Sequence, residues 1–484
     1  MKLNKLALCM GLAGSMSAYV GVVNATALTE TPDITVYLSG STAQFTNTEN
    51  AVKSLCDAAT WEKYVDNTTG GSRYRTYFCT TGANAPGPQQ SKKLMVRLTG
   101  YTTTVGSNTF SSGIGGSLIG ANPIINKEEL NFMAVAPGLT CPSNKCDDTA
   151  PGVVAHYVPH LGITDVHPRL FTLQNAPAEA GAVTAAGLAQ LEIKPGVITI
   201  FNTAVSKALR DALQDAQKAT LSASPYNCAY TGASPTNREA GECTPSLTGE
   251  QLAKIYTGQV STWNEVDAAL AVKDIKVVRR EIGSGTQATL NLSIPSKNFA
   301  EPAKAYPCQA GAQPTVYNRT GVVVAATSGE VETALTSDPT AWAIGFLSTD
   351  RNAPTASPFK DYRFIMIDRV APTLTAVANG QYRVVSQGTY QRRTDLASDP
   401  NGGADVVAIV DAIAAQAVNP AIIKDAITTA SKFSHAFGWT GYMAVGNTSC
   451  ANEAACKLSP VTSYRFAADP NGAPNNCIAP TATF

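Results

Sequence analysis

Short apolar runs alternate along the chain with segments in which apolar residues recur every three or four positions. The runs are rich in Val, Ile, Tyr and Phe and are bounded by Gly, Pro or Asp, which is typical of strands. Several are apolar throughout, as expected for strands buried on both faces of a sheet. The pattern predicts strands at 34–38, 94–99, 131–136, 197–201, 275–280, 321–326, 341–347 and 362–368. With helical segments between them, these strands indicate an α/β fold.

The helical pattern is clearest in four segments. One apolar face is formed by Val205, Ala208, Leu209, Ala212, Leu213 and Ala216. Thr248 and Gln251 have the spacing of a capping box, which predicts a helix start. Residues 406–415 and 420–433 predict two helices separated by an Asn-Pro pair. No period of about 20 to 50 residues repeats, which argues against a solenoid or a propeller.

The first 27 residues have the features of a secretory signal peptide. Lys2 and Lys5 precede an uncharged apolar stretch at 6–23, and small residues at 25–27 form a cleavage site. A lipid anchor at Cys9 is disfavoured because a large leucine precedes it. No other uncharged apolar run reaches the roughly 18 residues that span a bilayer. We therefore expect an exported protein, periplasmic or secreted, without membrane insertion.

Composition narrows the classes of function. Of the 484 residues, 44% are hydrophobic and 15% are charged, with 36 Lys and Arg against 36 Asp and Glu. A disordered chain is unlikely on these values, and the length allows more than one core. Because there is no net positive charge, no broad field attracts nucleic acid or acidic lipid. Any bound anion must therefore be held locally.

Of the 11 cysteines, all but Cys9 lie beyond residue 27, which leaves the even number typical of a disulfide-bonded exported protein. Neighbours in sequence predict the pairs Cys56 with Cys79, Cys141 with Cys146, Cys228 with Cys243 and Cys450 with Cys456, leaving Cys308 with Cys477. Connectivity does not follow from spacing alone. A zinc site is the weaker alternative, since the chain has no CxxC pair and its four histidines do not interleave with the cysteines at ligand spacing.

The sharpest local motif follows the strand predicted at 275–280. Arg280 ends that strand, and GSGT at 283–286 precedes a segment compatible with a helix. Glycines and hydroxyls at a helix N-terminus allow backbone N–H groups to surround an oxyanion, and an arginine adds charge-assisted donors. The alternative is an exposed Ser/Gly turn.

Three further turns are built from Gly, Ser and Thr. They are SGSTAQ at 39–44, SSGIGG at 111–116 and GITD at 162–165. In an α/β fold, such turns line the cleft at the carboxyl ends of the strands. The sequence therefore predicts a single anion pocket to which several turns contribute.

The order of six motifs resembles that of the phosphate-binding, PstS-like periplasmic solute-binding proteins. The motifs are SGSTAQ (39–44), GITD (162–165), GVITIFNTAVSKAL (196–209), LTGEQLAKIYTGQVSTWNEV (247–266), RREIGSGTQATLN (279–291) and AIGFLST (343–349). Each motif is modest, but the six follow the family's order and extend over most of the chain. The segment 362–382 is also similar to the family's returning segment.

The resemblance implies an α/β, two-lobed fold of the periplasmic-binding-protein type 2 class, in which the chain crosses twice between the lobes. After the signal peptide at 1–27, the first lobe would take 28–196 and return over 353–484, with the second lobe at 197–352. Inorganic phosphate or a similar oxyanion would be closed between the lobes. The resemblance implies a monomer that needs no cofactor, and an ABC transporter membrane component or a sensor as its partner.

The resemblance also implies nine ligand-binding positions. The first lobe would supply Ser41, Thr42, Ala43, Ser112 and Asp165, and the second Arg280, Ser284, Gly285 and Thr286. Ser107 competes with Ser112 for the serine of the glycine-rich second loop. Asp165 matches the family's acceptor of a protonated phosphate oxygen, which sulfate cannot provide. A turn aspartate that caps a backbone N–H is the alternative for Asp165.

Two features depart from the family. Glu281 and Ile282 stand where the family has a small polar residue and then an acid, so the acid that steadies the arginine is out of its place. Cysteine- and proline-rich stretches at 79–93, 137–153 and 222–246 look like surface insertions. They make the chain longer than a plain transport receptor, and another anionic ligand or role stays open.

Enzyme motifs are absent from the sequence: it has no GxSxG, no Walker-type loop, no HExxH and no GxGxxG. His156 and His160 are predicted to be loop or surface histidines, because Pro159 disfavours a shared helix. We expect a binding protein with no catalytic and no metal-binding residues. The alternatives are a secreted phosphatase-like enzyme on the same anion cradle and a surface or matrix interaction protein.

Overall fold

The computed structural model describes residues 29–67, 73–171, 175–176, 181–229, 237–294, 321–352, 359–428 and 433–445, and the short strands at 461–462, 465–466 and 482–483. Its helices are α1 (Phe45–Ser54), α2 (Asn122–Asn126), α3 (Ala185–Leu188), α4 (Lys207–Ala216), α5 (Lys218–Ser222), α6 (Gly249–Tyr256), α7 (Trp263–Val266), α8 (Gly285–Ser293), α9 (Ser328–Thr336), α10 (Leu374–Ala378), α11 (Ala404–Ala417) and α12 (Pro420–Thr428).

The strands of the first half of the chain are β1 (Ile34–Gly40), β2 (Glu62–Asp66), β3 (Tyr74–Thr80), β4 (Lys93–Thr99), β5 (Tyr101–Val105), β6 (Asn108–Gly115), β7 (Leu130–Met133), β8 (Lys145–Cys146), β9 (Val154–Tyr157), β10 (Leu161–Thr164) and β11 (Leu191–Ser206). Those of the second half are β12 (Ser246–Leu247), β13 (Lys276–Arg280), β14 (Val322–Ala325), β15 (Ala343–Ser348), β16 (Tyr362–Phe364), β17 (Met366–Ile367), β18 (Val385–Arg393), β19 (Ser434–His435), β20 (Gly438–Trp439), β21 (Tyr442–Val445), β22 (Val461–Thr462), β23 (Arg465–Phe466) and β24 (Ala482–Thr483).

Most strands join a sheet of 14 strands, in which the long strand β11 belongs to two parts. One part has the order β8-β2-β3-β4-β1-β10-β18-β11, and the other has the order β14-β13-β15-β11. β11 pairs with β18 as far as Ile200 and with β15 from Phe201 onward. This strand therefore carries the chain from the first lobe to the second.

The chain returns to the first lobe before β18. β16 still pairs with the end of β11, at residues 204–206, and β17 pairs with β12. β18 then lies between β10 and β11 in the first part of the sheet. The two-lobed α/β fold class is thus confirmed, while the residue limits assigned to the lobes from the resemblance stay predictions.

One apolar cluster lies in the first lobe, and another extends across both lobes. In the first, Leu38 of β1 packs in one cluster with Val52 of α1 and Ile409 of α11. The other cluster contains Leu252 of α6 and Trp263 of α7 with residues of β11 and β15, and it also includes Val385 of β18 from the first lobe. Burial of apolar surface stabilises such clusters by about 25 cal/mol per Å². The cores fix the strands whose ends bear the polar turns.

All eight predicted strands are confirmed, with shifted ends. β11 begins at Leu191, before the predicted start at residue 197. The Pro195-Gly196 pair looks like a turn in the sequence, but the strand passes through it with a register shift between Pro195 and Ile198. The strand predicted at 362–368 is two short strands, β16 and β17, after which Asp368 and Arg369 adopt positive φ.

The predicted helices are confirmed, except that Val205 lies in β11 and α4 begins only at Lys207. Gln251 N donates to Thr248 Oγ1 at 3.1 Å and Thr248 N donates to Gln251 Oε1 at 2.9 Å, which completes the capping box. The helices predicted at 406–415 and 420–433 are α11 and α12, and residues 429–432 lie outside the described part of the chain. His160 lies in a bend but is buried, and its Nδ1 accepts from the N–H of Tyr37 at 3.3 Å.

Three predicted disulfides are confirmed: Cys56–Cys79, Cys141–Cys146 and Cys228–Cys243. The predicted pairs Cys308–Cys477 and Cys450–Cys456, and the signal peptide at 1–27, lie outside the described residues. In the part of the chain that the structure covers, no helix combines the length and the apolar character needed to cross a bilayer.

Candidate functional site

Polar turns from both lobes meet where parallel strands end. β1 runs parallel to β10, and β13 runs parallel to β14. Ser41 follows β1, Asp165 follows β10, and Arg280 is the last residue of β13. None of the three is more than 2% exposed. The fold thus brings a hydroxyl, a carboxylate and a guanidinium together in the protein interior.

Asp165 lies between the lobes and is hydrogen-bonded to both. Ser41 Oγ donates to Asp165 Oδ1 from the first lobe. Thr286 Oγ1, at the start of α8 in the second lobe, donates to Oδ2 at 3.4 Å. The N–H of Asp165 donates to Ser117 Oγ at 2.9 Å. One carboxylate therefore links a hydroxyl of the first lobe to a hydroxyl of the second.

Burial raises the pKa of Asp165 to about 6. The hydrogen bonds from Ser41 and Thr286 and the positive charge of Arg280 oppose this shift, but they do not cancel the loss of water around the carboxylate. A carboxylate in such surroundings is stabilised by any further donor that reaches it, including a proton carried by a ligand.

Arg280 is held against the second lobe next to this carboxylate. Its Nε donates to Ala325 O at 3.2 Å, and its Nη2 donates to Ala326 O at 2.6 Å. Its Nη1 donates to Ser328 Oγ at 3.2 Å. A guanidinium has five N–H donors, so these contacts with described residues leave one donor on each terminal nitrogen. Burial lowers the pKa of Arg280, but an arginine stays a cation under ordinary conditions.

Glu281 supplies a second carboxylate beside Arg280. Its Oε1 lies 3.8 Å from Arg280 Nη2 and accepts from Gly115 N at 2.7 Å. The acid that is out of place in the sequence therefore contacts the arginine from the adjacent position. Burial raises the pKa of Glu281 well above its ordinary value, against the opposing charge of Arg280. Leu118 N also donates to Gly283 O at 2.9 Å, so two hydrogen bonds join the lobes here.

Two glycines permit the close approach of the lobes. A Cβ on Gly285 would lie 2.3 Å from Ser117 Oγ and 2.7 Å from Asp165 Cβ. A Cβ on Gly116 would lie 3.0 Å from Ser284 Cα, and Gly116 has a φ of 80°, which side chains disfavour. Larger residues at these positions would push the lobes apart.

The N-termini of two helices border the cluster. Ser284 caps α8 and Thr327 caps α9, each by accepting from a backbone N–H three residues on. The first N–H groups of a helix have no partner within it, and the helix dipole favours negative charge there. Thr42 Oγ1 lies 3.1 Å from Ser328 Oγ, which places the first lobe against the start of α9.

The chemistry of this set suits an anion better than a cation. It combines a guanidinium, several hydroxyls and two helix N-termini with the two carboxylates Asp165 and Glu281. No group of three or more His, Cys, Asp or Glu side chains within the described residues is arranged to hold a metal ion. Convergent N–H and O–H donors around a cation are the usual means of holding an oxyanion.

The structure brings together eight of the nine residues predicted for the site: Ser41, Thr42, Ala43, Asp165, Arg280, Ser284, Gly285 and Thr286. Ala43 contributes a backbone N–H, which donates to Ser41 Oγ at 3.1 Å. Ser112 lies within β6, and its side chain is outside the described part of the chain. Ser107 is exposed in the turn between β5 and β6.

Two hydroxyls of the site were not predicted. Ser117 follows Gly115-Gly116 at the end of β6, and it contacts Asp165. Ser328 follows β14, and it contacts both Thr42 and Arg280. Each serine belongs to a run of small and polar residues that follows a strand, which is the pattern that singled out GSGT. The same signal, applied to every strand end, would have found them.

Comparison with known proteins identifies the superfamily. Residues 214–391 match the model described as the PBP superfamily domain. The match covers less than half of the chain, so it describes residues 214–391 and not the chain as a whole. The resemblance to the PstS-like periplasmic phosphate-binding proteins is confirmed at the level of this superfamily. No curated protein matches the chain.

Several solved structures are also similar to the chain. A Clostridium perfringens protein, assigned as a phosphate ABC transporter substrate-binding protein and solved with bound phosphate, is 14% identical, covers 83% of this chain and 98% of its own, and has a TM-score of 0.42. PstS from Borrelia burgdorferi is 12% identical, with coverage of 81% and 96% and a TM-score of 0.33. A human phosphate-binding apolipoprotein is 14% identical, with coverage of 63% and 77% and a TM-score of 0.34. None of these values is high enough to transfer a ligand to this chain.

Asp165→Asn is expected to stabilise the protein against unfolding at neutral pH in phosphate-free buffer. The pKa of this carboxyl rises from 3.8 in the unfolded chain to about 6 in the folded one, so its ionisation destabilises the folded state. The destabilisation is absent below about pH 4, grows up to about pH 6 and is constant above it. A shift of this size corresponds to about 3 kcal/mol. Denaturant unfolding of both proteins from about pH 4 to pH 8 measures the difference.

Asp338→Asn is the control for that experiment. Asp338 accepts hydrogen bonds from the N–H and the hydroxyl of Thr340, which hold its pKa below the ordinary value. The control substitution should not stabilise the protein at any pH. A stabilisation by Asp165→Asn that fails to grow between about pH 4 and pH 6 would show that burial does not set the pKa.

Gly285→Ala should destabilise the closed arrangement of the lobes. The added methyl group would overlap Ser117 Oγ and Asp165 Cβ, and overpacking of this kind costs about 1–3 kcal/mol. Small-angle scattering in phosphate-free buffer should report a larger radius of gyration than for the wild type. Gly87→Ala is the matched control, because a Cβ there meets nothing within 4 Å. Equal radii for the two variants would contradict the role assigned to Gly285.

Proposed function

We propose that this chain is an exported binding protein that captures phosphate or a related tetrahedral oxyanion in the cleft between its lobes. The strongest support is the position of Asp165, which accepts from Ser41 of the first lobe and Thr286 of the second, beside Arg280. A ligand that replaced or extended these bonds would hold the lobes together. Closure around a ligand is the usual motion of two-lobed receptors.

The donors that support an anionic ligand come from both lobes. Arg280 keeps one donor on each terminal nitrogen, a spacing suited to two oxygens of one anion. The hydroxyls of Thr42 and Thr286 and the N-terminus of α8 lie around it. Together they could replace the water shell of a small oxyanion at a site where water is largely excluded.

Asp165 gives a reason for selecting phosphate. Monohydrogen phosphate carries a proton that can be donated to a carboxylate, whereas sulfate carries none near neutral pH. Sulfate would therefore place an oxygen against Asp165 without a hydrogen bond, and two negative groups would remain unpaired in a buried site. The carboxylate would thus reject sulfate more than it attracts phosphate.

The proposed role is that of a receptor rather than an enzyme. Residues 214–391 match a PBP superfamily domain, and the sequence contains none of the enzyme motifs considered above. The confirmed disulfides are consistent with an oxidising compartment, and the predicted signal peptide would provide export. All the groups of the site come from one chain, so a monomer would suffice. An ABC transporter membrane component or a sensor would receive the loaded protein.

Arg280→Ala should weaken phosphate binding by at least about a hundredfold, because charge-assisted bonds to a buried anion are worth roughly 1.5–3 kcal/mol each. Arg280→Lys should recover part of the affinity, since it restores the charge but not the paired geometry. Isothermal titration calorimetry with inorganic phosphate, on protein freed of bound anion, measures both.

Arg383→Ala is the control for the arginine series. Arg383 is exposed and its Nε donates to Gly380 O at 3.2 Å, away from the cleft. Its replacement should leave the phosphate affinity unchanged. If the wild type gives no heat at millimolar phosphate, the receptor function is wrong. Sustained turnover of a chromogenic phosphate ester would instead favour the phosphatase-like alternative.

Sulfate binding should strengthen as the pH falls through about 6, the pKa of Asp165, because the protonated carboxyl can then donate to a sulfate oxygen. Asp165→Asn should bind sulfate with little dependence on pH, and its preference for phosphate should fall by at least about tenfold. Competition calorimetry with both anions at about pH 5 and pH 8 measures these effects. A preference that survives the substitution intact would assign selectivity to another group.

A further inference from the structure

A cavity lies on the second lobe and shares no lining residue with the proposed oxyanion site. Its volume is about 240 Å³. Its wall is formed by residues of α4, of the short turn at 237–239, of β16 and of the hairpin β19–β20. The proposed function makes no use of this cavity.

Two of the elements around the cavity lie outside the regular sheet and helices of the lobe. The turn at 237–239 belongs to the cysteine-rich insertion at 222–246, which the disulfide Cys228–Cys243 closes. The hairpin at 434–439 lies C-terminal to the superfamily domain, which ends at residue 391. The hairpin, which lies outside that domain, thus folds against β16 and closes a space that the domain alone would leave open.

Aromatic rings form much of the cavity wall. His435 and Phe437 are stacked, with ring centroids 5.3 Å apart, and Phe364 meets His435 edge-on at 5.2 Å. Burial lowers the pKa of His435 to about 4, so its ring is neutral near pH 7. Phe359 lies at the rim, 37% exposed, with the guanidinium of Arg363 4.1 Å from its ring centre. These faces and edges can contact another ring from several sides.

Each charge in the wall has a partner, although Arg238, whose Nη2 donates to Asp215 at 3.0 Å, is paired with a residue outside the lining. Both oxygens of Glu239 accept from Arg210, at 2.8 and 3.1 Å, and from Arg363, at 2.9 and 3.1 Å. Burial alone would raise the pKa of Glu239, but the two arginines outweigh it and lower the pKa to about 2. A charged ligand would have to break these bonds. An uncharged ligand would leave them intact.

We propose that this cavity binds a small uncharged aromatic molecule of one or two fused rings. An apolar cavity of about 150 Å³ accepts benzene, so the volume here has room for a second ring. The ligand would lie against Phe437 and Phe364 and would reach the solvent at the rim beside Phe359. This site does not depend on the oxyanion-binding function.

The test uses the full chain and defined probes. Phenol and indole are titrated by calorimetry and by ligand-observed saturation-transfer NMR, alongside cyclohexanol, benzoate and benzylamine at equal concentrations. Phenol and indole should bind about five- to tenfold more tightly than the non-aromatic and the charged probes, because ring contacts favour the former and paired charges exclude the latter. Equal binding of cyclohexanol and phenol would overturn the aromatic preference.

Two variants locate the site. Phe437→Ala removes a ring from the wall and should weaken indole binding about fivefold or more. Ala436→Trp places a large side chain at an exposed position of the lining and should abolish binding by filling the cavity. Val324→Ala, at an exposed apolar residue of β14, is the control and should have no effect.

The outcomes separate this proposal from the receptor function. Phosphate affinity and melting temperature are measured for each variant, so that a folding defect is recognised. If Phe437→Ala is unstable, the location of the site is decided by Ala436→Trp alone. Phosphate binding without indole binding at millimolar concentration would overturn the cavity assignment alone. Indole binding that persists in Ala436→Trp would place the ring elsewhere and would also overturn it.

Discussion

The structure depends on a buried carboxylate that two lobes share. Asp165 accepts from a hydroxyl of each lobe, and burial makes its negative charge unfavourable unless donors surround it. The same position in an open cleft would be solvated and would need no partner. The lobes therefore have to approach each other closely enough to surround Asp165 with donors. Gly285 and Gly116 leave the space for this approach.

The fold places the donors because its strands run parallel near the cleft. Parallel strands end on the same edge of a sheet, so the turns after β1 and β10, and those after β13 and β14, face one point. The strand β11 then joins the two sheet parts without a flexible linker. The hydrogen-bond acceptors of Arg280 come from the neighbouring strand and helix of the second lobe. The end of β14 supplies two carbonyl groups, and α9 supplies a hydroxyl.

The sequence predicted the strands and the polar turns better than the contacts between distant residues. Each predicted strand exists, and the strand-glycine-serine pattern identified Arg280 and Thr286 correctly as neighbours of Asp165 in space. The role of Glu281 could not be foreseen, since its contact with Gly115 joins residues 166 positions apart. The first half of β11 was missed because Pro195-Gly196 resembles a turn, although pairing with β18 keeps that segment extended.

The helix α9 connects the proposed oxyanion site to the aromatic cavity. Its first residue, Ser328, contacts Arg280 and Thr42. One turn on, Glu332 accepts from Tyr362, which lines the cavity, at 2.7 Å, and from Arg351 at 3.0 Å. A ligand that shifted α9 at either end would therefore change the contacts at the other. By thermodynamic linkage such an effect is reciprocal. The affinity for the anion and the affinity for the aromatic ligand are therefore independent only if α9 keeps its position when either ligand binds.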